Sequence, residues 1–452
     1  MVQLGGIEPP TSGSTIRRSN HLSYNCPYDV IDIFGGRKLW AASPESKPDA
    51  SPNPLLSGRD PAPTLPETVS FAAVWALTIK MYGPAVPRAP DLMRRILIAI
   101  LILAAAALVG FYVITRPLPV LKIVTWAGEY GRAQRAAMIE PYRDVAHVDT
   151  RPGEWDGDLA ELRRAVASHT YKGDVIDFEL PEAIQACREG LLEKFDASTL
   201  PGGSDGAAAA NDFVPGAIGD CFVGSVAYSQ VIFFAHNTFR GPDPAMVSDF
   251  FDLAKYPGPR ALKAGAKFNL EMALLADGVR PKDVYKTLAT DDGVARAFKK
   301  LDSIKSVLIW WRNAGEPAQL IQNGKAVFTT ALNGDVFDAR AALPGIIWDR
   351  QLYEFDAFGV PKGDPNKDMA MDFIRWATGS KPLAGVADWV ALGPARRSSW
   401  PLVTKNPELG IAMAPLLPTS HFASAFAVDD GWWLTHGPAL EARFQAWMNA
   451  PN

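Results

Sequence analysis

From Ile96 to Ile114 the chain runs nineteen residues without a charge, directly behind Arg94 and Arg95. At about 1.5 Å per residue such a run makes a helix of roughly 28 Å, enough to cross the hydrocarbon of a bilayer. A helix packed on a globular core keeps a polar face, and this one has none. A basic flank ahead of an apolar run reads as an export signal or a membrane anchor, which assigns residues 93–120 to that role. No convincing small-residue cleavage site follows in "LVGFYVITRPLP", which favours the anchor. Past Val120 the pattern changes to short β-rich runs alternating with amphipathic ones. "VLKIVTWA", "GDVIDFEL", "SVAYSQVIFFAHN", "SVLIWW", "KAVFTTALNGD" and "LYEFDAFGVP" predict strands. "RAQRAAMIEPYRD", ending near Pro141, "ELRRAVAS", "PEAIQACREGLLEKFD" and "NKDMAMDFIRWATGS" predict helices. Strands alternating with helices predict an α/β protein with largely parallel sheets.

Residues 1–92 show no sustained period and are dense in Pro, Ser and Gly. They are expected to be a disordered or spuriously translated leader, with Met93 a candidate start. Their opening resembles a phrase found where a transfer-RNA gene has been translated. The 332 residues from Leu121 exceed what one simple core holds, so two lobes are expected. A net charge of −4 with no long basic run after the apolar segment argues against a nucleic-acid partner. Behind an export signal, Cys187 and Cys221 are a candidate disulfide, the alternative being two buried thiols. No metal-ligand spacing, phosphate loop, dinucleotide fingerprint or nucleophile elbow occurs, so no metal, cofactor or catalysis is expected.

Aromatic and acidic residues instead gather at the ends of expected strands. Trp126 and Glu129 follow the first, and Asp177 and Glu179 close the second. Trp310 and Trp311 close "SVLIWW", Asp335 follows "TTALNG", and Glu354 and Asp356 sit inside "YEFDAF". In open α/β sheets ligands bind at the carboxyl ends of strands. Rings attract cations and carboxylates pair with them, so this set suits an amine. Acids inside apolar strands are costly without a partner. Arg312 beside the tryptophans leaves an amino-acid-like zwitterion open.

From about Leu121 to Trp447 the chain resembles the substrate-binding components of polyamine-type ABC importers, the spermidine/putrescine-binding proteins. The resemblance runs in order through "VTWAGEYGRAQRAAMIEPY", "GDVIDFELPEAIQACREGLLEKFD", "DCFVGSVAYSQVIFFAHNTF", "IWWRNAGEPAQLIQNGKAVFTTALNGD" and "FGVPKGDPNKDMAMDFIRWA". It implies a type II periplasmic binding protein fold, two α/β lobes joined by a crossing-strand hinge, behind the N-terminal membrane helix. The hinges are expected near Phe234–Asn237 and Asn333. Lobe 1 then takes 121–233 and 334–384, and lobe 2 takes 234–333 and 385–452. The Cys positions match those of related sequences, which implies the Cys187–Cys221 bridge.

Asp335 and Asp356 match acids that hold amines in such proteins, and Trp126 matches an aromatic wall. Leu332 and Leu392 stand where rings are common, a departure that weakens the case for a long polyamine. The resemblance implies a monomeric, periplasmic receptor that hands a small cation, putrescine or spermidine, to ABC permease subunits. A ligand sensor anchored through residues 96–114 is the alternative.

Overall fold

The computed structural model describes residues 89–236, 238–338 and 345–450. The leader up to residue 88 lies outside the described residues, as does Asn237 of the expected hinge. Two units divide at Leu118. In the first, Ala89–Thr115 is one helix. Its stretch Asp91–Tyr112 is long and apolar enough to cross a membrane.

The second unit is organised on a single mixed sheet. Its strands are β1 (Val120–Thr125), β2 (Asp149–Glu154), β3 (Val175–Glu179), β4 (Phe222–Phe234), β5 (Arg260–Lys263), β6 (Leu308–Trp311), β7 (Phe328–Leu332) and β8 (Gly345–Gly359). They lie in the order β2-β1-β3-β8-β4-β7-β5-β6. Parallel pairs occupy both flanks, β2/β1/β3 on one and β7/β5/β6 on the other. The expectation of largely parallel sheets therefore holds only at the flanks. The centre is antiparallel, because β4 and β8 run alongside each other through both halves. Two short strands, Gly393–Pro394 and Phe426–Ala427, attach to β4 and β8.

Two large cores flank these crossing strands. One joins Leu121 and Ile123 of β1, Phe178 of β3, Val223 and Ala227 of β4, Phe358 of β8, and Leu383, Val386, Val390, Leu392 and Ala395. The other joins Ile232 and Phe234, Phe328, Ile347 and Leu352 with Trp433 and Phe444 of the helix Asp430–Asn449. Along β8 the change from one core to the other falls between Leu352 and Phe355, just past a bulge. Ile232 pairs with Ile347 and Gln230 with Leu352, so Trp348–Gln351 stand against Val231 alone. Arg350 there has φ 55°, a left-handed backbone uncommon outside glycine.

The expected end of a helix at Pro141 does not occur. Helix Gly128–Gln134 continues through a π turn, Arg135–Ile139, into Glu140–Ala146. The π turn shifts the hydrogen-bond pattern just where Pro141 has no N–H to give. Likewise the stretch expected as strand through Asp335 ends at Leu332, and Asn333–Asp338 is a short helix.

Cys187, in helix Leu180–Arg188, and Cys221, just before β4, form a disulfide with Cα atoms 5.7 Å apart. It closes a loop with sequence separation 34. On the chain-entropy account its removal costs roughly 3 to 4 kcal/mol. The double variant Cys187→Ala/Cys221→Ala is therefore expected to unfold at a lower urea midpoint with matching loss of stability. An unchanged midpoint would refute that.

Candidate functional site

A cleft opens where the strands change core. Trp126, Tyr130, Glu179, Tyr228, Leu332, Gly334, Asp356 and Leu392 line it. Trp126 directly follows β1, and Tyr130 lies in the first turn of the helix beyond it. Glu179 ends β3 just ahead of the next helix without capping it through its side chain, while Leu332 ends β7 and Gly334 lies in the first turn of a helix. The position at strand ends is the one expected for a ligand in an open sheet.

Glu179 and Asp356 stand directly opposite each other across the antiparallel β3/β8 pair. Like charges so placed repel. Burial pushes the Asp356 carboxyl well above the usual carboxylate range, and Asp177, Glu179, Glu182 and Glu354 push it further. Burial and Glu354 also raise Glu179. Asp177 lies behind this wall, raised by burial to about 7 despite hydrogen bonds that favour its ionised form. Gln134 Nε2 donates to Asp177 Oδ2 at 2.6 Å. Ser225 Oγ lies 3.1 Å from both the Tyr130 hydroxyl and the Asp356 carbonyl oxygen. Glu182 is raised by burial and by Glu179 to about 7, with the Trp155 indole donating to it at 3.1 Å.

Glu354 has a different role. Tyr228 donates its hydroxyl to Glu354 at 3.0 Å, and Lys267 pairs with both Glu354 and Asp430, the latter at 2.6 Å. Burial opposes ionisation of Glu354, but Lys267 together with Asp430 and Tyr228 outweighs it and holds its carboxyl below the usual range. Asp430 is pushed up by burial and by Glu354.

The cleft thus brings together Trp126, Glu179 and Asp356 of the expected set, with Asp177 and Glu354 immediately behind. The other expected residues stand elsewhere. Glu129, 42% exposed at its side chain, pairs with Arg132 at 2.5 Å and does not line the cleft. Trp310 sits on the far flank, edge-on to Phe444 and Trp447, as core packing. Trp311 is buried with Ala261 and Ala326, and Arg312 is exposed, its amide donating to Glu316. Asp335 is buried one residue past the lining Gly334. Tyr130, Tyr228 and Lys267 were missed. The polar run Tyr228–Gln230 inside an otherwise apolar strand was the available signal for Tyr228.

These raised carboxyls have a measurable sign. A group whose folded pKa exceeds its unfolded value binds more protons when folded, so its contribution to stability falls as pH rises between the two. For Asp177 that window is about pH 4 to 7. Stability of the native protein minus that of Asp177→Asn is expected to decline across this window. Glu354, with its lowered pKa, contributes the opposite slope in both proteins and cancels. Denaturant melts at pH 4.5, 5.5, 6.5 and 7.5 test this, and a difference that rises with pH would contradict it.

Two α halves on a continuous sheet, crossed by two long strands with a ring-and-acid cleft at the crossing, define a type II periplasmic binding protein fold. The family model described as bacterial extracellular solute-binding protein matches residues 139–412, and the chain belongs to that family. It is 33% identical over 329 residues to a gamma-aminobutyric acid-binding protein of Pseudomonas aeruginosa, covering 72% of this chain and 90% of that one. A solved GABA receptor is 31% identical with a TM-score of 0.61, over 74% of this chain and 98% of that chain. An ABC transporter substrate-binding protein from Bradyrhizobium japonicum is 27% identical with a TM-score of 0.63, over 73% and 100%. The protein is a solute-binding component of an ABC importer, and not an enzyme.

Proposed function

We propose that this chain captures a small ω-amino acid of the GABA type in its cleft and delivers it to the permease from the periplasmic side. The observation that carries the reading is the pair Glu179–Asp356, two carboxyls opposed inside a wall of Trp126, Tyr130 and Tyr228. A bound ammonium relieves their repulsion and takes the place of the proton that burial keeps there. The names of the relatives favour an amino acid over a polyamine, and so do Leu332 and Leu392, apolar walls where a long polyamine would gain from rings. The polyamine expected from the resemblance becomes the competing ligand.

The lobes are proposed to follow the two cores, with Val386–Ala395 in lobe 1 rather than lobe 2 and Ile347–Leu352 in lobe 2 rather than lobe 1. The pivot is placed at the Trp348–Gln351 bulge, where an irregular ladder bends most easily. The helix Ala89–Thr115 is proposed to tether the protein to the inner membrane.

A thermal-shift screen against GABA, longer and shorter ω-amino acids, putrescine and spermidine tests the reading. Ligand at a hundredfold excess over Kd adds about 2.7 kcal/mol to the folded state. A rise with GABA exceeding that with putrescine is expected. A rise with diamines alone would return the ligand to the polyamines.

A further inference from the structure

We propose that the indole N–H of Trp126, together with the open amides at the start of the helix beyond it, is the subsite for the ligand's carboxylate. This rests on the zwitterionic reading above and says which end of the ligand goes where.

Trp126 lines the cleft and is 9% exposed, yet its Nε1 is buried with no acceptor among the described residues. Indole N–H is a donor and nothing else, so only an acceptor satisfies it. Other tryptophans find one: Trp155 at Glu182, Trp400 at the Pro394 carbonyl at 3.0 Å, and Trp447 at Asp302 at 2.7 Å. Trp311 shares the lack of an acceptor, but it sits in its own apolar cluster away from the cleft. A buried donor without a partner is costly, and a ligand that supplies an acceptor recovers that cost on binding.

The backbone beside this indole adds a second source of positive potential. One continuous helical run extends from Gly128 to Ala146 through its π turn. Ala127 precedes it and offers no side-chain cap, so its first amides are left without one. Tyr130, in that first turn, lines the cleft. Gly131 keeps the turn against the strand end, since a Cβ there would lie 2.0 Å from the Trp126 carbonyl oxygen. The one acid in the turn, Glu129, is engaged by Arg132. A carboxylate is favoured at such a helix start. It is disfavoured beside Asp356 and Glu179, where the ammonium belongs. The cleft therefore has two electrostatic ends, and a diamine satisfies only one.

The test is calorimetry on the purified full-length protein with GABA and with butylamine, which keeps the four-carbon amine but lacks the carboxylate. Trp126→Phe retains a ring and removes the N–H. GABA is expected to bind about tenfold or more weakly to this variant, with a clearly smaller loss for butylamine. Equal GABA affinity in variant and native protein overturns the subsite, and so does an equal loss for both ligands, which would make Trp126 a wall alone. If the native protein binds no ω-amino acid, the reading of the preceding section fails instead, and this one with it. The indole proton resonance of Trp126, assigned by its absence from the variant, gives a readout in the native protein. It is expected to move downfield with GABA and not with butylamine, and a static resonance would overturn the assignment.

Discussion

Asp356→Asn is expected to weaken GABA binding by about a hundredfold or more while leaving the fold as stable as before, or more so. Truncating one partner of a buried, hydrogen-bonded charge pair commonly costs 2–5 kcal/mol or more, and the ligand ammonium and Asp356 form such a pair in the proposed complex. Asparagine preserves the shape and one oxygen, so what is lost is charge. The effect on the fold runs the other way. Asp356 is crowded by Asp177, Glu179, Glu182 and Glu354, all of which resist its ionisation. Removing a group held in that condition relieves repulsion, as is common where a site is built for binding at the expense of stability. Calorimetry at pH 7.5 and a denaturant melt measure the two effects. Lower affinity with a lower midpoint would mean a damaged fold. Unchanged affinity would take Asp356 out of the site.

The second large effect is structural. Asp212→Ala is expected to destabilise the protein by about 3–5 kcal/mol, the usual cost of leaving a buried charge without its partner. Arg396 is 0% exposed, and its Nε donates to Asp212 Oδ2 at 2.5 Å. Asp212 also accepts from the Ser398 amide and hydroxyl at 2.7 and 2.6 Å. Arg396 Nη1 reaches the Thr378 carbonyl at 3.0 Å. This cluster pins the segment after Leu392, a residue of the cleft wall, onto helices of the first core. Losing the carboxylate therefore loosens one wall of the cleft as well as the fold. A urea titration reads the loss as a lower midpoint at unchanged slope. Adding Arg396→Met to the variant is expected to restore part of it, because the orphaned charge is then gone. A loss under about 1 kcal/mol would show that Arg396 finds other compensation.

Much of the cleft was legible because burial and charge conflict visibly in a sequence. Asp177, Glu179, Glu354 and Asp356 stand out as acids within apolar strand patterns, and all four lie in or directly behind the wall. Glu129 and Trp310 belong to the same residue types at the same kind of strand end, yet neither lines the cleft. Strand ends recur on both flanks of the sheet, and the chain order alone does not say which of them face one another. Lys267 was invisible for a related reason. A lone lysine ahead of a helix carries no pattern, and only the fold brings it between Glu354 and Asp430.

By itself the sequence determined the apolar helix, the alternation of strands and helices, and the presence of acids that needed a cation, since each of these is a local conflict or match between side chain and solvent. Only the tertiary structure decided that β4 and β8 run antiparallel through both cores, that β8 bulges just before it passes from one core to the other, and that Glu179 meets Asp356 across the ladder. Those depend on register between segments more than 110 residues apart, and register is set by packing of the whole sheet rather than by any stretch of it.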